Sequence, residues 1–134
     1  MDQSPLVVQQ IEAGSVLAAA FDSQYKPLKA AFWLKEDEES LWTLCLASDE
    51  IDSSNRGDAF QEVLKLLPEE TKLWIDPFQV KVMGTADSMV QEVLEIQRKY
   101  PALLPTRIRT RMLGKKFVDE AFIYPPDFRA TVVS

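Results

Sequence analysis

The chain contains no histidine. That absence removes the commonest general base, the usual zinc ligand and every Ser-His or Cys-His nucleophile pair. Enzymes built on carboxylates, lysine or tyrosine stay open. A single cysteine, Cys45, leaves no partner for an intramolecular disulfide. The longest uninterrupted apolar runs are Val16–Phe21 and Ala30–Leu34, far short of the roughly 20 residues that span a bilayer. Met1-Asp2-Gln3-Ser4-Pro5 lacks the basic region of a secretory signal. Together these absences predict a cytoplasmic protein in a reducing compartment. No motif calls for a cofactor or a metal.

What is present fits one ordinary domain. The 134 residues are 46% hydrophobic and 27% charged, enough to bury a core and too short for a comfortable second domain. A single α+β domain over 1–134 is expected, with 125–134 as a tail that is either loose or docked. The net charge of −6 is unevenly spread. Residues 1–97 carry 18 acidic and 7 basic side chains, whereas 98–118 carry 7 basic ones and no acid. Such a layout bears on partners more than the total does.

Along the chain, Ser4 and Pro5 suit the start of a helix reaching Asp22, with Val7, Val8, Ile11, Leu17 and Phe21 inward and Gly14-Ser15 as a weak point. Two apolar runs, Leu28–Lys35 and Leu41–Ser48, flank Glu36–Glu39 and predict a hairpin. A four-residue loop there sets Trp33 opposite Trp42 and Ala31 opposite Leu44. Both faces are apolar, so the hairpin should be covered on both sides. A second helix is expected from Asp58 to Leu67, capped by Asp58 and Gln61, with Phe60, Val63, Leu64 and Leu67 buried and Pro68 at its end. Leu73–Ile75 and Phe78–Met83 are strand-like. A third helix should cover Ala86–Tyr100 after a Thr85 cap, with Met89, Val93, Ile96 and Tyr100 on one stripe. Thr106–Leu113 and Lys116–Tyr124 complete a second hairpin around Gly114-Lys115. The order α-β-β-α-β-α-β-β predicts a mainly antiparallel sheet of about five strands carrying three helices.

Several clusters resemble sites and fail on counting. From Asp52, a calcium loop would need an oxygen ligand at Arg56 and a glutamate at Val63. The acidic Glu36–Glu39 loop reads as a solvated hairpin tip. Cys45 lacks a base and alternates with Phe32, Leu34 and Leu41 as a small buried hydrophobe. No catalytic residue is assigned.

Two features remain. Trp33, Trp42 and Leu44 share a sheet face that is either core beneath a helix or a sticky interaction patch. Thr106–Met112 places Arg107, Arg109 and Arg111 on one strand face, with Lys115 and Lys116 at the turn. With a two-residue turn, Arg109 faces Glu120, Arg111 faces Val118 and Arg107 faces Phe122. The hairpin itself holds too few acids for three arginines, so the rest of the neutralisation falls to the acidic N-terminal portion, to solvent or to a partner. Arg107, Arg109, Arg111, Lys115 and Lys116 are therefore the candidate anion or partner site.

The hairpin residues Ala30-Ala31-Phe32-Trp33-Leu34 and Leu41-Trp42-Thr43-Leu44, with Leu113-Gly114 and Val118–Tyr124, resemble a small uncharacterised bacterial family. The resemblance implies no activity or site. The leading expectation is a non-enzymatic protein-binding or accessory module that meets a protein partner or itself as a homodimer. The alternative is an enzyme or binder of a small anionic ligand on the arginine face, with Glu120 or Tyr124 as acid–base group. The third is nucleic-acid binding through 98–116, which the acidic remainder of the chain opposes. A membrane role is not expected.

Overall fold

The computed structural model describes residues 6–67, 74–101 and 104–128. It is an α+β fold with three helices and one mixed sheet. Helix α1 spans Val8–Gln24, followed by β1 (Ala30–Lys35), β2 (Thr43–Ser48), α2 (Arg56–Leu66), β3 (Val80–Gly84), α3 (Ser88–Lys99), β4 (Thr106–Leu113) and β5 (Lys116–Ile123). Among the described residues the sheet order is β3-β2-β1-β5-β4. All neighbours are antiparallel except β2 and β3, which run parallel. That exception follows from α2, whose crossover returns the chain to the starting end of the sheet.

The core lies in two layers. On one face α1 and α2 bury Ile11, Leu17, Phe21, Ala59 and Val63 against Ala31, Trp33, Leu44, Leu46, Val82 and Phe122. On the other, α3 sets Met89, Val90, Val93 and Ile96 against Phe32, Cys45, Ala47, Ala121 and Ile123. The central hairpin is thus covered on both sides, as its doubly apolar pattern requires.

Local chemistry moved several boundaries. The first helix begins at Val8, where Gln10 Oε1 accepts the Val7 N–H at 3.1 Å; Ser4 and Pro5 lie outside the described residues. Gly14-Ser15 does not interrupt it. Gly14 is buried where α1 crosses Trp33, and an added Cβ would stand 2.9 Å from the indole Nε1 and closer still to Tyr124 Oη. Glycine is required there for close approach. Helix α2 starts at Arg56 rather than Asp58. Asn55 is its cap residue, and Asp52 Oδ1 ties the preceding turn through Ser54 N at 2.8 Å and Ser54 Oγ at 2.6 Å. Those bonds, the Ser54 hydroxyl first, hold the Asp52 carboxyl below its ordinary pKa. Its inner face is Ala59 and Val63, with Phe60 half-buried beside Phe78. Pro68 and Leu73 fall outside the described residues, and Trp74 and Ile75 are not in a strand. Asp87, not Thr85, caps α3 by accepting Met89 N–H at 2.8 Å. Tyr100 lies past the helix end and is exposed.

The first hairpin is two residues out of the expected register. Trp33 pairs with Leu44 and Ala31 with Leu46, because the loop takes in Glu36–Leu41. Asp37 organises it, accepting Glu39 N–H at 2.8 Å, and Leu41 is left exposed instead of sharing the Cys45 face. A slip of two keeps every side chain on its face. The second hairpin has the expected register, with Arg109 opposite Glu120, Arg111 opposite Val118 and Arg107 opposite Phe122. Gly114 turns it with φ 67°, at the first turn position, which type II′ hairpins reserve for glycine.

Candidate functional site

The tryptophan patch is not available as a surface. Trp33 is 1% exposed, Trp42 5% and Leu44 0%, all within the layer beneath α1 and α2. Burial needs a partner for the indole N–H, and Trp33 Nε1 donates to Tyr124 Oη at 2.8 Å. Tyr124 Oη in turn donates to the Ile11 carbonyl at 2.6 Å. Burial raises the pKa of this phenol far above its ordinary value. Tyr124 is therefore a structural link between sheet and helix, with its hydroxyl engaged on both sides. Cys45 is likewise fully enclosed, and burial pushes its thiol from 9.0 up to about 12.

The arginine strand has a different situation. β4 is the last strand of the sheet, and its outer backbone edge has no neighbouring strand, among the described residues. Arg107, Arg109 and Arg111 are all exposed, yet the protein does not leave them as one uniform stripe. The Arg107 guanidinium stacks over the Phe122 ring at 5.0 Å. Arg109 Nε is 4.0 Å from Glu120 Oε1, and Glu120 also faces Lys35 of β1 across the sheet. Arg111 reaches Glu92 of α3 at 3.1 Å. It does so because the β4–β5 ribbon coils: Leu113 and Val118 pack in the α3 layer, while Phe122 further along belongs to the α1–α2 layer. Two-stranded ribbons twist more than the interior of a sheet. Internal acids therefore answer two of the three arginines. The Arg109 and Arg111 side chains are still 75% and 44% exposed, and solvent-exposed pairs of this kind contribute only about 0–1 kcal/mol.

Lys115 and Lys116 sit at the ribbon tip, away from the edge. Gly114 brings that tip against the first turn of α3, where its Cβ position lies 2.6 Å from the Ser88 carbonyl. Lys116 pairs with Glu36 at 3.2 Å. A cavity of about 420 Å³ opens below the tip, lined in part by Lys81, Lys115, Lys116, Leu34, Met83 and Leu113. Lys81 was missed by sequence reasoning, since only the parallel register that sets it beside Cys45 reveals its place. A second cleft of about 390 Å³ lies between the end of α3 and Pro125-Pro126. Neither cleft takes in Arg107, Arg109 or Arg111. Sequence reasoning also missed the cross-strand pair Met112 and Phe117, both about half exposed on the ribbon.

Among the described residues no three acidic or cysteine side chains converge to hold a metal ion. No helix there is long and apolar enough to cross a membrane. No known protein family, curated protein or solved structure matches the chain.

Proposed function

We propose that this chain is a non-enzymatic interaction module that pairs the outer edge of β4 with an acidic, extended segment of another protein. The observation that carries this reading is an edge strand of eight residues with no neighbour among the described residues, bearing Arg107, Arg109 and Arg111 on its surface. Edge strands are templates for added strands. The backbone ladder supplies affinity, and arginine forks opposite carboxylates supply selectivity. Each cross-strand charge pair adds roughly 0.2–1 kcal/mol. The internal pairs of Arg109 and Arg111 are exposed and weak, so a partner carboxylate exchanges with them at little cost.

The homodimer form of the reading is disfavoured at this edge. A two-fold axis that joins two copies of β4 antiparallel and extends the sheet sets arginine against arginine in each central register. The small-anion reading through the arginines has less support, because they lie outside both clefts. Nucleic-acid binding is opposed by the net charge of −6.

Hydrogen exchange tests the module reading with a defined probe. A peptide alternating glutamate and valine should slow exchange of β4 amides, and a lysine–valine peptide should not. The R107E/R109E/R111E variant should lose the effect. Absence of β4 protection by the acidic peptide, or equal protection by the basic one, would remove the proposal.

A further inference from the structure

The cavity under the ribbon tip has a composition that the edge-strand reading does not use. Its floor is made of buried apolar side chains, Leu34, Met83 and Leu113, with the Cys45 thiol among them. Burial keeps that thiol neutral at physiological pH, so the floor carries no charge. The rim carries three lysines, Lys81, Lys115 and Lys116, and two acids, Glu36 and Asp87. Glu36 is paired with a lysine, whereas Asp87 keeps its negative charge on the rim. Glu36 holds Lys116, and the Asp87 carboxylate accepts the Met89 N–H that opens α3. The helix end is thus capped by its own side chain and offers little to a ligand. Lys81 and Lys115 make no ion pair within the described residues. Among the described residues the rim of this cavity therefore carries one more positive than negative charge, in a chain of net charge −6.

We propose that this cavity binds a small amphipathic anion, an apolar body bearing a carboxylate or phosphate group, with Lys81 and Lys115 holding the head group. The volume of about 420 Å³ falls in the range of small-molecule pockets, and the lining divides between apolar and polar side chains. Lysine binds such head groups as a compact point charge with rotatable donors. The floor side chains keep little exposed area, so the body adds a modest term there, at roughly 25 cal/mol per Å² of apolar surface covered. The site shares no residue with the β4 edge arginines, so it stands or falls separately from the module reading.

Nuclear magnetic resonance on the full chain, with ¹³C-methyl methionine and ¹⁵N labels, tests it with three probes: octanoate, hexyl phosphate and inorganic phosphate. Octanoate or hexyl phosphate should shift the Met83 and Met89 methyls and the Lys81 and Lys115 amides saturably. The tighter of the two identifies the head group. Inorganic phosphate should bind at least tenfold more weakly. The K81Q/K115Q variant, altered only at exposed positions, should weaken the amphiphile at least tenfold with its methionine methyl spectrum otherwise unchanged. Failure of both amphiphiles to give saturable methyl shifts overturns the proposal, as does equal affinity in the variant. Inorganic phosphate binding as tightly as the amphiphiles overturns the role of the floor. The methyl readout on the wild-type chain decides the matter even if the variant folds poorly.

Discussion

Gly14, Trp33 and Tyr124 form the contact on which the α1 layer turns. The helix approaches the sheet closely enough that any Cβ at Gly14 meets the Tyr124 hydroxyl and the Trp33 indole. Gly14→Ala should therefore destabilise the protein by roughly 1–3 kcal/mol through overpacking, against the ~1 kcal/mol that alanine normally gains over glycine inside a helix. Tyr124→Phe should cost about 1–3 kcal/mol, because it strands the buried Trp33 N–H. The two changes should couple. With the hydroxyl gone, the nearest obstacle to the new methyl is gone as well, so Gly14→Ala should cost less in the Tyr124→Phe background. Urea unfolding of the four proteins measures this coupling, and strict additivity would refute the close-contact account.

The same burial sets a pH dependence. Cys45 and Tyr124 are neutral when protonated, and burial raises both pKa values. The folded state therefore binds these protons more tightly than the unfolded state. Their contribution is fully present below the unfolded pKa and is lost as pH rises through the folded one. For Cys45 that window runs from 9.0 to about 12. The urea midpoint should fall steadily above pH 9. Cys45→Ala should be less stable at pH 8 but lose stability more slowly between pH 9 and 10. A wild-type midpoint that stays level over that interval would contradict the assignment.

At the level of elements, short-range chemistry read well where one residue type fixes the geometry. Gly114 left only a tight turn for the second hairpin, so the pairing of Arg109 with Glu120 followed from counting. The first hairpin carries no such marker. Its acidic tip is closed by Asp37 hydrogen bonds to residues within the loop, and the loop absorbed two extra residues. The parallel β2–β3 pair was not anticipated, because periodicity alone chooses neither the edge nor the direction of a strand. Thr85 was the expected cap of α3. The structure gives Thr85 Oγ1 to Asp49 Oδ1 at 2.5 Å and leaves the cap to Asp87. Asp87→Ala should thus cost ~1 kcal/mol, whereas Thr85→Ala, which breaks an exposed contact, should stay within about 0.5 kcal/mol. Thermal or urea unfolding separates the two, and equal costs would reassign the cap. The site was half legible for a related reason. Alternation identifies Arg107, Arg109 and Arg111, and counting across the turn supplies Glu120, but the acid that answers Arg111 is Glu92 on α3, which no hairpin count reaches.

The whole molecule joins an acidic body to a basic edge. Residues 1–97 carry the excess of acid, and three arginines of opposing sign are placed on β4, which ends the sheet among the described residues. A charged edge resists self-association, because identical edges repel when they meet antiparallel. It also steers acidic partners, raising association rates in a salt-dependent way. If the edge is open to a strand and only charge prevents self-pairing, complementary edges should join. Wild type and R107E/R109E/R111E should each sediment as a monomer alone. An equimolar mixture at low salt should contain a faster-sedimenting dimer, since arginines then face glutamates in the same registers. The Debye length shrinks from about 10 Å at 0.1 M salt to about 3 Å at 1 M, so the mixed species should weaken as salt is added. Sedimentation velocity across a salt series measures this directly. A mixture that stays monomeric at low salt would mean that something other than charge blocks the edge, and the partner surface would then have to be sought away from β4.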